Sequence, residues 1–304
     1  MKFNKDDYRE TLFEQYNQKI VTFGNGMIEV TAYAIPQIKQ VGSIEHKGGA
    51  NEQSEISDEA QEERTQKQSY TIKRRIRGYA LANDFEWFVT LTLDPKKNDS
   101  FNYENSKKLL LKWCRYMRDT YGKFDYIIIP EFHKSGAVHF HGLLGNLAAN
   151  FVEATYPKSE KPLLRNERQV YNLADWQYGF TDCEKIVDSE KTASYLTKYI
   201  TKELMTNKEM FRKKRYFNSQ GLKKPSVEYI DSEANNLKDF TPNFGIVSTD
   251  SHGNNVLEKR IYKLQRNEET GELFQTDTNY LLKAKSLSQA SAKTTVTSNS
   301  KDSK

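Results

Sequence analysis

Two short stretches of this sequence carry side chains whose types and spacing could do chemistry. The first is the step His139-Phe140-His141 within the apolar run Ala137-Val138-His139-Phe140-His141-Gly142. A strand has a side-chain period of two, so both imidazoles fall on one face while Val138 and Phe140 turn into a core. Two imidazoles side by side suit a divalent cation; a surface histidine beside a satisfied core histidine is the plainer alternative. The second stretch is Tyr195-Leu196-Thr197-Lys198-Tyr199-Ile200-Thr201-Lys202, whose residues 195, 198, 199 and 202 have the i, i+3, i+4, i+7 spacing of one helix face. A phenol, with a pKa of about 10, is a poor nucleophile until its anion is favoured. A neighbouring ammonium or a metal-polarised electrophile provides that help. A hydroxyl nucleophile, a basic face and a metal site without thiolates together suit transesterification at a phosphodiester, the metal acting as Lewis acid.

The elements that must position these groups can be read outward from the histidines. The run Phe124-Asp125-Tyr126-Ile127-Ile128-Ile129-Pro130-Glu131-Phe132-His133 precedes Lys134-Ser135-Gly136, and with 137–145 it predicts a hairpin. A three-residue loop with Gly136 in the left-handed position sets Phe132 opposite Val138 and Glu131 opposite His139. Directly opposed side chains share a face, with Cβ atoms roughly 4.5–5.5 Å apart, so Glu131, His139 and His141 are expected to converge. A two-residue loop would flip the parity, and Pro130 marks this end of the strand as an edge or a bulge.

Elsewhere, alternating apolar positions over 19–35, interrupted by Gly24-Asn25-Gly26, predict a small hairpin, and residues 70–83 read as a basic helix. Phe85 to Pro95 reads as a strand with Trp87, Val89, Leu91 and Leu93 on one face and Phe88, Thr90, Thr92 and Asp94 on the other. Ser106–Tyr121 has helical spacing and stops before Gly122. A polar connection over 148–170, a short segment from Trp176 to Val187 and a helix over Ser189–Glu203 follow. The order strand, helix, strand, strand, helix predicts an α+β fold: an antiparallel sheet with helices packed on it, like a ferredoxin or RNA-recognition fold.

The chain of 304 residues has ample length for a core, yet it is polar, with 37% hydrophobic residues and a mean hydropathy of −0.82. No apolar run nears membrane-spanning length and the opening MKFNKDDYRE is charged, so neither a signal peptide nor a membrane partner is expected. Only Cys114 and Cys183 are present, which excludes a disulfide framework and a cysteine-based zinc site and fits a reducing cytoplasm. Residues 42–68 carry seven acids against three bases and read as a solvated linker closing an N-terminal segment, 1–69. Basic residues then cluster at Lys73, Arg74, Arg75 and Arg77. From Lys191 to Lys224 there are ten Lys or Arg against two acids, with aromatics interleaved. Such clusters suit phosphate contact and base stacking, which makes Lys202, Lys213, Lys214 and Arg215 candidates for nucleic-acid contact beside the first cluster; a solvated helix face is the alternative. Residues 70–225 thus form the domain that carries the chemistry. Residues 226–283 are an extension without a readable role, and 284–304 read as a disordered tail.

Taken together, these motifs resemble those of the HUH endonucleases, in particular the rolling-circle replication initiators of plasmids and single-stranded DNA phages. Phe88-Val89-Thr90-Leu91-Thr92-Leu93 resembles the family's first motif, His139-Phe140-His141 its second and Tyr195-Leu196-Thr197-Lys198-Tyr199 its third, in that order over about residues 70–205. Glu131 matches the acidic residue that commonly completes the metal triad. The resemblance implies a site-specific nickase in which Tyr195 or Tyr199 attacks a phosphate of single-stranded or extruded origin DNA. The protein would become linked to the 5′ end, leaving a 3′-OH as primer. Two tyrosines resemble the phage-type initiators. Single-tyrosine relatives keep a Tyr followed three residues later by Lys, which favours Tyr195 with Lys198 as its helper. Mg²⁺ or Mn²⁺ is the implied ion, the cytoplasm of a bacterial host the implied setting, and a host helicase and polymerase the implied partners, since no Gly-x-x-x-x-Gly-Lys-Ser/Thr phosphate loop is present. A mobilisation relaxase or single-strand transposase of the same superfamily, a non-catalytic single-stranded DNA-binding domain and a water-using metal hydrolase are the competing readings.

Overall fold

The computed structural model describes residues 12–41, 57–210, 213–232, 236–249 and 255–284. The chain forms two compact units. Strands β1 (Leu12–Thr22) and β2 (Met27–Val41) form an antiparallel hairpin, longer at both ends than the alternation over 19–35 predicts.

The unit that carries the candidate chemistry begins, among the described residues, with helix α1 (Asp58–Ala82). The Ser57 hydroxyl caps it by accepting from the Ala60 N–H, and Asp58 and Glu59 occupy its first turn, where carboxylates oppose the helix dipole favourably. The acidic stretch expected to be a linker is therefore helical from Asp58; its 42–56 part lies outside the described residues. Only the C-terminal end of α1 is buried, through residues such as Ile76, Leu81 and Ala82.

There follow β3 (Trp87–Leu93), α2 (Tyr103–Tyr121), β4 (Asp125–Phe132) and β5 (Val138–Gly145). Then come β6 (Phe151–Glu153), β7 (Leu164–Arg165), β8 (Arg168–Gln169), β9 (Tyr171–Leu173) and β10 (Gly179–Lys185), so the expected polar connection over 148–170 contains short strands. Helix α3 (Ser189–Leu196), a 3₁₀ turn (Thr197–Tyr199), helix α4 (Lys202–Thr206) and β11 (Phe217–Asn218) complete the unit. Seven strands pair antiparallel in the order β11-β4-β5-β3-β10-β9-β6, and β7 pairs with β8 alone. The class is α+β, as the element order predicts.

Alternation along the central strands sorts this sheet into two faces. Trp87, Val89, Leu91 and Leu93 of β3 are all buried, as are Val138 and Phe140 of β5. Helix α2 lies on that side, its Cys114 meeting Tyr126 of β4 and burying Leu110, Trp113 and Met117. Asn102 caps α2, and Gly122, at φ 85, ends it with an N–H bonded to the Arg118 carbonyl. On the other face the 3₁₀ turn and α4 pack against β4, burying Leu196, Ile200 and Leu204. Gly142, directly after His141, faces β4 so closely that a Cβ would stand 2.7 Å from the Ile127 carbonyl oxygen.

The second unit joins β1 and β2 to β12 (Ser226–Ile230), β13 (Phe244–Thr249), β14 (Asn255–Arg266), β15 (Leu273–Phe274) and β16 (Leu281–Ala284). The strand order is β12-β1-β2-β14-β13-β16, with β15 paired to β14. Strands from segments set apart in the sequence reading, β1 and β2 of 1–69 and β12 to β15 with most of β16 of 226–283, thus meet in one sheet whose core is Ile28, Val30, Tyr262 and Leu264. The tail beyond Ala284 lies outside the described residues.

Candidate active site

The hairpin register is the one the three-residue loop predicts: Phe132 pairs with Val138 and Glu131 with His139, and Gly136 sits at φ 88. Pro130 costs no ladder bond to a further strand, because β11 reaches only Ile127 and Ile128. Adding β3 and β10 gives two adjacent rows on one sheet face: Asp182, Thr90, His141 and Ile129, then Phe180, Thr92, His139 and Glu131.

Within those rows the structure joins Glu131 to His141, Oε2 to Nε2 at 2.7 Å. The other ring nitrogen of His141, Nδ1, is 3.1 Å from the Thr90 hydroxyl, and Nδ1 of His139 is 3.5 Å from that of Thr92. Outer partners of this kind fix a ligand histidine's tautomer and leave Nε2 for the metal. His139 does not join the Glu131–His141 pair; its ring stacks on His133, 5.1 Å between centroids. Among the described residues no three His, Cys, Asp or Glu side chains stand close enough to form a ready metal cluster. The donor chemistry nevertheless suits a divalent cation, since a carboxylate and two imidazoles share one face. Burial holds both imidazoles below the ordinary histidine pKa, His133 adding to the effect at His139 and the Glu131 carboxylate opposing it at both. Neutral imidazole is the form that binds metal.

Tyr199 lies directly over this pair, with Tyr195 beside it. The Tyr199 ring stacks on His141 with centroids 3.7 Å apart and planes 9° from parallel. Its hydroxyl donates to the Tyr195 hydroxyl at 3.2 Å. Burial, then that hydrogen bond, pushes the Tyr199 phenol pKa far up. Tyr195 is more open, 47% exposed, with its ring edge-on to Phe88 and the Lys198 ammonium 5.3 Å from its centroid.

The expected continuous helix over 189–203 is broken. Helix α3, capped by Asp188 accepting from the Lys191 N–H, ends at Leu196; Ile200 leaves helical geometry, and Thr201 caps α4 by accepting from the Leu204 N–H. A Thr whose hydroxyl can take a helix N-terminal N–H favours a restart over continuation. Lys202 consequently leaves the Tyr-Lys stripe and pairs with Glu62 of α1 at 2.8 Å.

The other expected basic contacts disperse. Lys73 faces the space between α1 and α4, whereas Arg74 and Lys214 are exposed. Arg75 contacts Tyr216, Arg77 pairs with Glu190 at 3.4 Å, and Lys213 pairs with Glu104 at 2.5 Å. Arg215 is committed to the fold, donating to the carbonyls of Met205, Met210 and Lys213.

Sequence reading missed the roles of Thr90, Thr92, Asp182, Phe180 and His133. The first four depend on which strands pair, which no local pattern shows. His133 shares parity with Glu131, so the hairpin register already placed it on this face. Phe180, 65% exposed at the end of the His139 row, is an open aromatic surface beside the site.

Residues 86–204, less than half of the chain, match a family model described as replication-associated protein ORF2. That span contains β3, the hairpin and the Tyr195–Tyr199 segment, and the match supports a replication-associated protein. No curated protein and no solved structure matches the chain. No described helix is long and apolar enough to cross a membrane.

Proposed function

We propose that this chain is a replication initiator of the HUH endonuclease type that nicks origin DNA by tyrosine transesterification. The observation that carries the reading is a hydrogen-bonded pair of phenols, Tyr195 and Tyr199, of which Tyr199 stacks on a histidine already hydrogen-bonded to a carboxylate. A structural tyrosine pair has no need of an acid–histidine couple beneath it or a lysine beside it.

His141, with Glu131 and His139 of the adjacent row, would hold Mg²⁺ or Mn²⁺. When bound, the ion supplies Lewis-acid polarisation of the scissile phosphate. The Tyr195 hydroxyl is the nucleophile: it is the exposed one, it already receives a hydrogen bond from Tyr199, and Lys198 offers positive charge to its anion. As Tyr195 loses its proton, its oxygen forms the new bond to phosphorus and the bond from phosphorus to the 3′-oxygen breaks. The 3′-oxygen takes up a proton and becomes the 3′-OH primer, while the 5′ end stays on the enzyme as a phosphotyrosine diester. Tyr199 holds the Tyr195 oxygen through its donated hydrogen bond and is placed to serve as the second nucleophile in a later round. Strand opening and extension fall to a host helicase and polymerase.

The test is incubation of the full chain with labelled single-stranded origin DNA from the encoding replicon, in Mn²⁺ or in EDTA, read on a denaturing gel. A metal-dependent protein–DNA adduct that disappears in the Tyr195→Phe, Tyr199→Phe double variant is expected. Cleavage without an adduct would instead identify a water-using nuclease, and binding without either a non-catalytic DNA-binding domain.

A further inference from the structure

The N-terminal half of α1 buries almost nothing, yet it walls one side of a cleft of about 570 Å³ whose other side is the segment 198–206. That volume lies in the ~300–1,000 Å³ range of sites that enclose a small molecule or one unit of a polymer. Gln66, Tyr70 and Lys73 line the α1 wall; Lys198, Ile200 and Lys202 line the other. Tyr70 is 68% exposed, an aromatic ring held on a helix and left open by the described residues. Lys73 has no ion-pair partner among the described residues, while Lys202 is held by Glu62 across the cleft. That pair is between exposed, long side chains and contributes little, so a phosphate oxygen can replace the carboxylate on Lys202.

Lys198 is shared between the two places: it lines the cleft, and its ammonium stands 5.3 Å from the Tyr195 ring. The cleft therefore begins one side chain away from Tyr195, at Lys198, and runs along α1. We infer that it holds the single DNA strand flanking the scissile phosphate, one base stacked on Tyr70 and backbone phosphates on Lys73 and Lys202. An aromatic ring beside ammonium groups is the combination that binds single strands with little regard to sequence. The acidic side chains Asp58 and Glu62 at the same cleft argue against a duplex, whose phosphate density would meet both. The inference takes its occupant from the nickase reading, but the site itself stands on the cleft.

It is tested with the full chain in EDTA, by fluorescence anisotropy on a ladder of labelled origin-strand oligonucleotides lengthened one nucleotide at a time on either flank. Wild type is expected to show a step in affinity as one flank reaches Tyr70. Tyr70→Ala should remove that step, weakening the longer oligonucleotides on the order of tenfold, within the range for loss of one base–aromatic stack. Tyr70→Trp should restore it, which separates stacking from a folding defect. Lys73→Gln should lower the slope of log affinity against log salt by about 0.7, one phosphate contact on a single strand. Equal affinity of Tyr70→Ala and wild type across the ladder, or no step in wild type, overturns the inference even if the adduct forms. A Tyr70-dependent step in a protein that never forms the adduct upholds the cleft and overturns the nickase.

Discussion

The two halves of the candidate active site are built differently. His141 sits on β5, a strand hydrogen-bonded on both sides, with a residue only 6% exposed, a carboxylate on one ring nitrogen and a threonine hydroxyl at the other. Tyr195 and Tyr199 sit where a short helix gives way to a 3₁₀ turn and then to a break at Ile200, and Tyr195 is nearly half exposed. A side chain fixed on a closely packed sheet holds its geometry without further ordering. The tyrosine segment is anchored through the buried Leu196 and Ile200, but the Tyr195 side chain itself stands half in solvent. On the proposed function the difference divides the roles: the sheet would keep the groups that must stay in register, and the tyrosine segment the group that would form a bond, carry DNA and later let go.

That division is tested most severely by removing one hydroxyl at a time. Tyr195→Phe should lower first-cleavage adduct formation by about a thousandfold, since Tyr199, stacked on His141 with its phenol held protonated by burial, does not take over the first attack. Tyr199→Phe removes only the donated hydrogen bond in the first cleavage and should cost about tenfold, while abolishing any second transfer. Equal losses in single-turnover gels would mean that the two phenols act as one unit, and the division between them would fall.

The sheet side is probed by Thr90→Val, which keeps the shape of the residue and deletes the hydroxyl at His141 Nδ1. Loss of such an outer partner typically costs about 10- to 100-fold in metal affinity or activity. The expected outcome is that much more Mn²⁺ needed for half-maximal cleavage, with the maximal rate nearly kept. An unchanged Mn²⁺ requirement would show that the threonine is only a packing residue.

On the tyrosine side, Thr201→Ala deletes the α4 cap. It should cost about 1 kcal/mol and lower the Tm by roughly 2–4 °C. Because the cap is what interrupts the helix, the variant should also lengthen α3, seen as amide protection extending through Ile200. Protection unchanged at Ile200 and Thr201 would mean that packing against β4 makes the break, with no help from the hydroxyl.

These same features explain what could be read from the chain. Glu131, His139 and His141 were legible as one face because a single three-residue turn fixes their register locally. The contact actually made, Glu131 to His141 with His139 turned to His133, depends on side-chain choices that alternation does not encode. Thr90 was visible on the correct face of β3, but its partner lies 51 residues away and only strand pairing joins them. The Tyr-Lys stripe required eight residues of uninterrupted helix, and Thr201-Lys202-Glu203-Leu204 carried a competing cap signal strong enough to end it. The first half of α1 was illegible for the opposite reason. Residues 58–69, ahead of the stretch read as helical, are polar on every side, a pattern shared by solvated linkers and by helices that do not pack on a core.

Acid should separate the two halves by where each one responds. Burial depresses the pKa of His139 and His141 in the folded chain, so the unfolded chain binds their protons first, near the ordinary value of about 6.5. Their contribution is therefore full above that value and is lost as the pH falls through the depressed folded values. The α3 cap behaves later. Asp188 is held below its ordinary value of 3.8, first by the Lys191 N–H, so its contribution persists until the pH falls beneath 3.8. In EDTA, thermal melts should fall by about a few degrees between roughly pH 7 and 5, while the Lys191 amide stays protected over the same range. The step should flatten in His141→Asn, which cannot titrate. A melting temperature level across that interval in wild type would show that the histidines are not held neutral by burial, and the contrast between a buried sheet site and a more open tyrosine segment would lose its electrostatic half.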